Sequence, residues 1–306
     1  MANIRYSYHN STIKHPANPP NNIGYYTHKK HQKNTNKKGA PLDTLAQLST
    51  PPTLKDCKRD TYSKSSVLKT IRKRGLKKWL TNSIAFPLID LKNENEKSYW
   101  SMYNCVAYLE HDGQKITGKY CKQRFCPVCS SILTAKNINQ YEEPFSKYTD
   151  LQFTTLTVPT CKRDELQARV DDLLKQFRLI LQCKTNRNKY RMSGIRKLEI
   201  TARPGDKYHA HLHILHSGGE EVANWMIQKW LQINETANIK AQDTKPFTGN
   251  FVELMKYATK VFKLKTVEGK QELVLYPPKQ LDAIFTALKG RRVLQPFGGI
   301  RKQPIE

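Results

Sequence analysis

Residues 208–216 read Tyr-His-Ala-His-Leu-His-Ile-Leu-His, so His209, His211 and His213 alternate strictly with Ala210, Leu212 and Ile214. A strand places successive side chains on opposite faces, and this alternation therefore gives one apolar face and one face carrying a row of imidazoles. A chain with such a strand has to build a sheet whose two sides differ: one buried in a core, the other furnished with nitrogen ligands. Imidazole suits first-row divalent metals. The plainer alternative, a strand showing polar histidines to solvent, stays open in a chain with nine histidines.

The neighbouring segments supply partners for this strand. Ile195 to Thr201 alternates too, with Leu198 and Ile200 on one side and Lys197, Glu199 and Thr201 on the other. Pro204 and Gly205 lie in the connection between the two, which predicts a hairpin and brings Glu199 beside the histidines as a further candidate ligand. Gln152 to Val158 is β-branched and aromatic and ends at Pro159, as a central strand would. After it, Asp164 and Glu165 precede an apolar stripe of Leu166, Val170, Leu173, Phe177, Ile180 and Leu181, which predicts a core-packing helix. A second helix is expected near Val222 to Leu231. A third is expected over Phe251 to Leu264, where Glu253, Tyr257 and Lys260 would share one face. A tyrosine with a carboxylate one turn before it and lysines at 256 and 260 brings a nucleophile, a base and a charge stabiliser together, although routine surface ion pairing gives the same pattern.

Cys105, Cys121, Cys126 and Cys129 have the spacing of a tetrahedral zinc site, the last two in the string Arg124-Phe125-Cys126-Pro127-Val128-Cys129. A two-residue gap lets both sulfurs of a knuckle reach one ion at about 2.3 Å, and the long gap supplies the other pair from an adjoining hairpin. A redox pair has the same spacing but lacks its expected strand and helix context here. Cys57, Cys161 and Cys183 have no matching spacing and read as free cysteines. Val67, Leu68, Ile71, Leu76, Trp79 and Leu80 recur at near-helical intervals among lysines and arginines, predicting a basic helix interrupted by Gly75. Before it, residues 1–65 are rich in Asn, Lys, Pro, Ser and Thr and are expected to be disordered. The expected organisation is therefore this segment, a basic helix and linker over 66–95, a cysteine zinc module over 96–140, and a main domain over 141–306. With 52 Lys and Arg against 26 Asp and Glu, a formal charge of +26 points to a polyanionic partner such as nucleic acid. No apolar run approaches membrane-spanning length, and no apolar stretch of signal-peptide type opens the chain, so a cytoplasmic protein with no membrane partner is expected.

In order along the chain, Thr154-Thr155-Leu156-Thr157-Val158-Pro159, the histidine strand with His211-Leu212-His213, and Tyr257 resemble the HUH endonucleases. The chain is most similar to the initiators of rolling-circle plasmid replication, the single-tyrosine branch with a cysteine knuckle before the first motif. Ala287-Leu288-Lys289-Gly290-Arg291-Arg292 followed by Phe297-Gly298-Gly299 is similar to a terminal signature of that group, and the likeness covers roughly residues 100 to 302. Ala210 departs from it, proline being frequent there.

The resemblance implies an α+β fold: a central antiparallel sheet carrying the histidines, flanking helices and a small zinc module. It also implies a nickase that opens one strand of plasmid origin DNA, single-stranded at the nick, and stays joined to the 5′ phosphate. The free 3′ hydroxyl then primes synthesis by a host helicase and polymerase. Tyr257 would be the nucleophile, Lys260 its helper, and Glu253 the base of the terminating cleavage. His211 and His213, with His209 or Glu199, would hold Mg²⁺ or Mn²⁺, and the four cysteines structural Zn²⁺. Two further classes stay open: an HUH transposase or relaxase, and a non-catalytic zinc-containing nucleic-acid binder. A relaxase more often carries its tyrosine before the histidines, whereas Tyr257 follows them.

Overall fold

The computed structural model describes residues 64–304 apart from 108, 112–115, 257–260 and 268–269. The expectation of disorder over 1–65 thus falls almost wholly outside the described residues, and Tyr257 and Lys260 lie outside them as well. The chain divides into two compact units, Met1–Ser131 with Val261–Pro278, and Ile132–Lys260 with Lys279–Glu306.

In the first unit, helix α1 (Lys64–Ile89) runs straight through Gly75, which corrects the expected interruption. A glycine inside a helix costs about 1 kcal/mol relative to alanine. Thr81, Ile84, Ala85 and Leu88, spaced i, i+3, i+4 and i+7, are all fully buried, and Ile84 and Leu88 each contribute roughly 1.5–3 kcal/mol. Tertiary packing therefore outweighs the local preference. Helix α2 (Glu96–Tyr103) buries Tyr99 and Met102. It meets α1 through an edge-on contact of Phe86 with Tyr103, centroids 4.8 Å apart, and through Lys78 Nζ, which donates to the Tyr103 carbonyl. Two antiparallel hairpins complete the unit: β1 (Leu109–His111) with β2 (Ile116–Gly118), and β8 (Phe262–Val267) with β9 (Lys270–Leu275).

The second hairpin corrects another expectation, that of a helix over Phe251 to Leu264. Helix α6 spans only Phe251–Met255, and Phe262 to Leu264 are strand, in register with Leu275 to Leu273. Phe262, Leu264 and Thr266 alternate with Lys263 and Lys265, a period of two that overrides the helical spacing read from Glu253, Tyr257 and Lys260.

The second unit is built on a wholly antiparallel sheet. Its strands are β3 (Gln152–Thr157), β4 (Cys161–Lys162), β5 (Gly194–Arg203), β6 (Lys207–His216), β7 (Asp243–Pro246) and β10 (Leu294–Phe297). Their order is β10-β5-β6-β3-β7, with β4 continuing beside β6. The expected β5–β6 hairpin is present, turning through Pro204, Gly205 and Asp206; positive φ at Gly205 (73°) and Asp206 (55°) suits residues that tolerate left-handed backbone.

The two faces of this sheet differ as the alternation requires. Ala210, Leu212 and Ile214, with Leu156, Leu198 and Ile200, are at most 1% exposed. Over them lie helix α4 (Leu166–Gln182), with Val170, Leu173, Phe177 and Ile180 buried, and helix α5 (Gly219–Ile233), with Val222, Met226 and Trp230 buried. Trp230 Nε1 donates to the Thr157 carbonyl at 2.9 Å, tying α5 to the end of β3. On the histidine face, one end of the sheet carries a second cluster of Phe153, Ile195 and Leu215. Tyr141 and Phe145 of helix α3 (Pro127–Ser146), Leu254 and Met255 of α6, and Ile300 pack on it. The other end of that face carries the polar groups described next.

Candidate metal centre

Cross-strand register assembles the site. Glu199 on β5 and Thr157 on β3 both pair with His211 on β6, and Lys197 and Thr155 both pair with His213. Directly paired residues share a face, so two rows of polar side chains stand side by side on the face away from α4 and α5. Glu199 Oε1 lies 3.7 Å from His211 Nε2, and Glu199 Oε2 lies 3.7 Å from His213 Nε2. One donor atom from each of the three residues falls within 4.8 Å of the others. Two ligand atoms each about 2.1 Å from a shared ion stand roughly 3.0–3.5 Å apart, so the two Glu199–histidine separations lie within a few tenths of an ångström of a coordinated spacing.

Charge and protonation favour a cation there. Burial pushes the His211 pKa down to about 3, against the opposing pull of Glu199 and with the same sign as its neighbours His213 and His209. The ring is neutral at pH 7. Its Nδ1 faces the His209 carbonyl at 3.4 Å, and a carbonyl only accepts, which puts the ring proton on Nδ1 and leaves a lone pair on Nε2 toward Glu199. Two electron-rich atoms facing each other are the donor set a divalent ion satisfies. His213 is oriented by Thr155 Oγ1 at 3.1 Å from its Nδ1 and by the Phe153 ring, stacked at 5.5 Å.

Of the residues singled out in the sequence, Glu199, His211 and His213 are brought together. His209 stands beside them with its ring stacked on His211 at 5.2 Å, outside the converging set. Glu253 is exposed on α6, and its carbonyl accepts from Lys197 Nζ at 3.3 Å. Lys197 also pairs with Glu199 Oε2 at 3.1 Å, both side chains under 10% exposed, so a single buried ammonium links the candidate ligand to the helix that precedes Tyr257. The sequence reading placed Lys197 on the right face without giving it a role; its parity with Glu199 was the available signal. Thr155, the partner of His213, was missed because threonine in a β-branched strand carries no distinguishing pattern.

In the first unit the four cysteines converge as expected. Cys105 follows α2, Cys121 follows the β1–β2 hairpin, and Cys126 and Cys129 open α3. Sulfur separations are 3.5 Å for Cys105–Cys129 and 3.6 Å for Cys121–Cys129 and Cys105–Cys126. A tetrahedral ion with bonds of about 2.3 Å sets its sulfurs about 3.7 Å apart. Backbone N–H groups of Cys121, Lys122, Gln123 and Cys129 point at the sulfurs from 3.3 to 3.5 Å. Hydrogen bonding from Cys105 and its neighbours holds the Cys126 thiol far below its ordinary value, and the same contacts push Cys121 far above it. The quartet thus shares protons where a cation would take their place. Cys161 and Cys183 are in no disulfide and stand outside the quartet, and Cys57 lies outside the described residues.

The sequence model of a family described as "Replication protein" matches residues 114–305. Among curated proteins the chain is similar to a "Protein rep" of Bacillus sp, 31% identical over 127 residues covering 37% of this chain and 41% of the relative. A "Protein rep" of Staphylococcus aureus is 33% identical over 102 residues, 31% of this chain and 44% of the relative. Another, of Bacillus amyloliquefaciens, is 30% identical over 124 residues, 36% of each. The chain thus covers less than half the length of the curated relatives it matches. No solved structure matches it significantly.

Proposed function

This chain belongs to the Replication protein family of rolling-circle plasmid initiators, and on that premise we propose that it is a metal-dependent nickase and strand transferase acting on single-stranded origin DNA. The observation that carries the proposal is the convergence of Glu199, His211 and His213 on one sheet face. Glu199, His211 and His213 would hold a divalent ion, Mn²⁺ or Mg²⁺, which would supply Lewis acidity toward the scissile phosphate and offset the charge that develops on it.

The chain's own residues do the rest. The Tyr257 phenolic oxygen attacks phosphorus; the bond to the 3′ oxygen breaks, that oxygen leaves as a hydroxyl, and a phosphotyrosine at the 5′ end forms in its place. With an ordinary pKa near 10, Tyr257 needs its phenolate favoured, and the positive charge of Lys260 is assigned that part; the phenolic proton is lost to solvent, and the departing 3′ oxygen takes one back from it. Glu253, one turn before it, activates water in the terminating cleavage and frees the enzyme. Support for this arrangement comes from Lys197: the four residues from the Glu253 carbonyl it holds to Tyr257 span at most about 14 Å, a leash that keeps the nucleophile near the cluster. His209 flanks the cluster as an alternative ligand. The four cysteines hold Zn²⁺, whose role is structural. The partner is plasmid origin DNA, and the released 3′ hydroxyl is handed to a host helicase and polymerase.

The test is incubation with end-labelled single-stranded oligonucleotides carrying candidate origin sequences, with Mn²⁺ or Mg²⁺, comparing wild type and Tyr257→Phe on a denaturing gel. A metal-dependent protein–DNA adduct made by wild type and lost in the variant is expected. Adduct formation that survives the variant would remove Tyr257 from the mechanism.

A further inference from the structure

We propose that a pocket at the start of β5, distinct from the metal centre, holds a backbone phosphate of duplex origin DNA. The proposal rests on the reading of this chain as an origin-DNA nickase, and it gives that reading a second point of contact. The pocket has a volume of about 410 Å³, and its lining includes Asn186, Arg187, Arg191, Ser193, Phe297 and Gly298, with no acidic residue. Two arginines, a serine and a phenylalanine among the lining residues offer the groups that recognise a phosphate on a sugar: guanidiniums, a hydroxyl and an aromatic ring.

Several observations converge on it. The segment Lys184-Thr185-Asn186-Arg187-Asn188-Lys189-Tyr190-Arg191 carries four bases and no acid. Lys189 is taken by Glu221 at 2.8 Å, whereas Arg187 and Arg191 are exposed. Arg191 holds left-handed backbone, φ 48°, with its N–H donating to the Asn186 carbonyl, a strained conformation that aims a charged residue rather than a glycine at the pocket. Opposite it, the Phe297-Gly298-Gly299 signature finds a reason in packing. A Cβ at Gly298 would stand 2.4 Å from the Met192 carbonyl oxygen and 2.6 Å from Ser193 Oγ, so only bare backbone fits this wall. Gly299 N–H donates to Ser193 Oγ at 2.8 Å, and Arg301 Nη1 donates to the Gly298 carbonyl at 2.7 Å, bringing a third guanidinium to the same loop.

The position is suited to a second contact. Ser193 and Glu199 are six residue steps apart, about 20 Å at the usual strand rise, or roughly six base-pair steps of duplex. A phosphate held here fixes register on the duplex while the metal centre acts on the strand to be cut.

The experiment measures binding of the full chain to a fluorescently labelled duplex of origin sequence over a series of salt concentrations. Arg187→Gln with Arg191→Gln is compared with Lys136→Gln with Lys147→Gln, two exposed lysines elsewhere in the same unit. The arginine pair is expected to weaken binding about tenfold near 0.1 M salt and to flatten the slope of log affinity against log salt by about 2. The lysine pair should change both far less. Arg187→Lys with Arg191→Lys keeps the charges and should restore most of the slope, which separates lost contact from misfolding. An arginine pair indistinguishable from wild type, or a lysine pair equally affected, overturns the assignment. Wild type that binds the duplex but forms no adduct on single strands sinks the nickase reading instead, and the binding comparison then judges the pocket alone.

Discussion

Lys197 is the residue on which the site turns, because one buried ammonium answers both the Glu199 carboxylate and the Glu253 carbonyl. Removing one partner of a buried pair leaves an uncompensated charge and typically costs 3–5 kcal/mol. Lys197→Met is therefore expected to lose about 3 kcal/mol of stability without metal. Added Mn²⁺ should recover part of it, because the ion becomes the countercharge for Glu199. Thermal unfolding with and without Mn²⁺ checks this, and a metal-induced rise no larger than that of wild type would count against the cluster as a metal site. His216 offers a separate test on the opposite, apolar face. It is wholly buried, Nε2 2.9 Å from Thr154 Oγ1 and Nδ1 3.0 Å from the Ser217 carbonyl, and burial pushes its pKa down to about 4. The unfolded imidazole titrates near 6.5, so between the two values the unfolded chain binds the extra proton. This contribution to stability is full above pH 6.5 and is lost as pH falls toward 4, by about 3 kcal/mol. His216→Gln should lower stability at pH 7 yet flatten its decline between pH 6.5 and 4 in urea titrations; parallel profiles would contradict the shift.

At the scale of elements, legibility followed periodicity. The β6 alternation, the β5–β6 hairpin and the α4 stripe were readable because each buries one whole face, and burial imposes a period on the sequence. Glu199 was readable with them, since register carries a residue across the sheet once the hairpin is known. What could not be read is informative. Gly75 looked like a break because local propensity is a weak prior against a buried helical face, and Phe262 to Leu264 looked helical because three candidate residues upstream, Glu253, Tyr257 and Lys260, share a helical spacing. The pairing with β9 that decides the matter comes from residues a hairpin away. Contacts between elements were equally invisible, Trp230 among them. Its indole donates to the Thr157 carbonyl from a fully buried position, beside the strand pair that carries His211. Trp230→Phe removes that donor and leaves space in the core, and about 2 kcal/mol should be lost. Urea unfolding measures it, and a cost under about 0.5 kcal/mol would mean that α5 is not anchored through this bond.

At the scale of the whole molecule, the two candidate centres sit in different units and have opposite demands on a metal. Four sulfurs brought within 3.5 to 3.6 Å contacts cannot all ionise without a cation, and a zinc held by four thiolates still carries two negative charges. The unit meets that charge with backbone N–H groups aimed at sulfur and with Lys78, whose pKa burial lowers while Cys105, Cys126 and Cys121 raise it. Among the described residues of this unit, the buried apolar side chains of α1 and α2 are joined by Val106, Phe125 and Val128 beside the cysteines, so a zinc ion held there is expected to carry a large part of the folding free energy; apparent binding of structural zinc is worth roughly 10–16 kcal/mol. The Glu199 centre, by contrast, stands on a sheet packed against α4 and α5, so its unit is expected to fold without an ion. Mild chelation should therefore strip Mn²⁺ or Mg²⁺ reversibly while one zinc per chain remains, and strong chelation should unfold the first unit before the second. Cys126→Ser should abolish zinc retention, lower the first transition and leave the Mn²⁺-dependent shift of the second in place. Metal analysis beside calorimetry decides it: zinc absent from the purified chain, or both transitions falling together in the variant, would show that the cysteine quartet is not an independent structural centre.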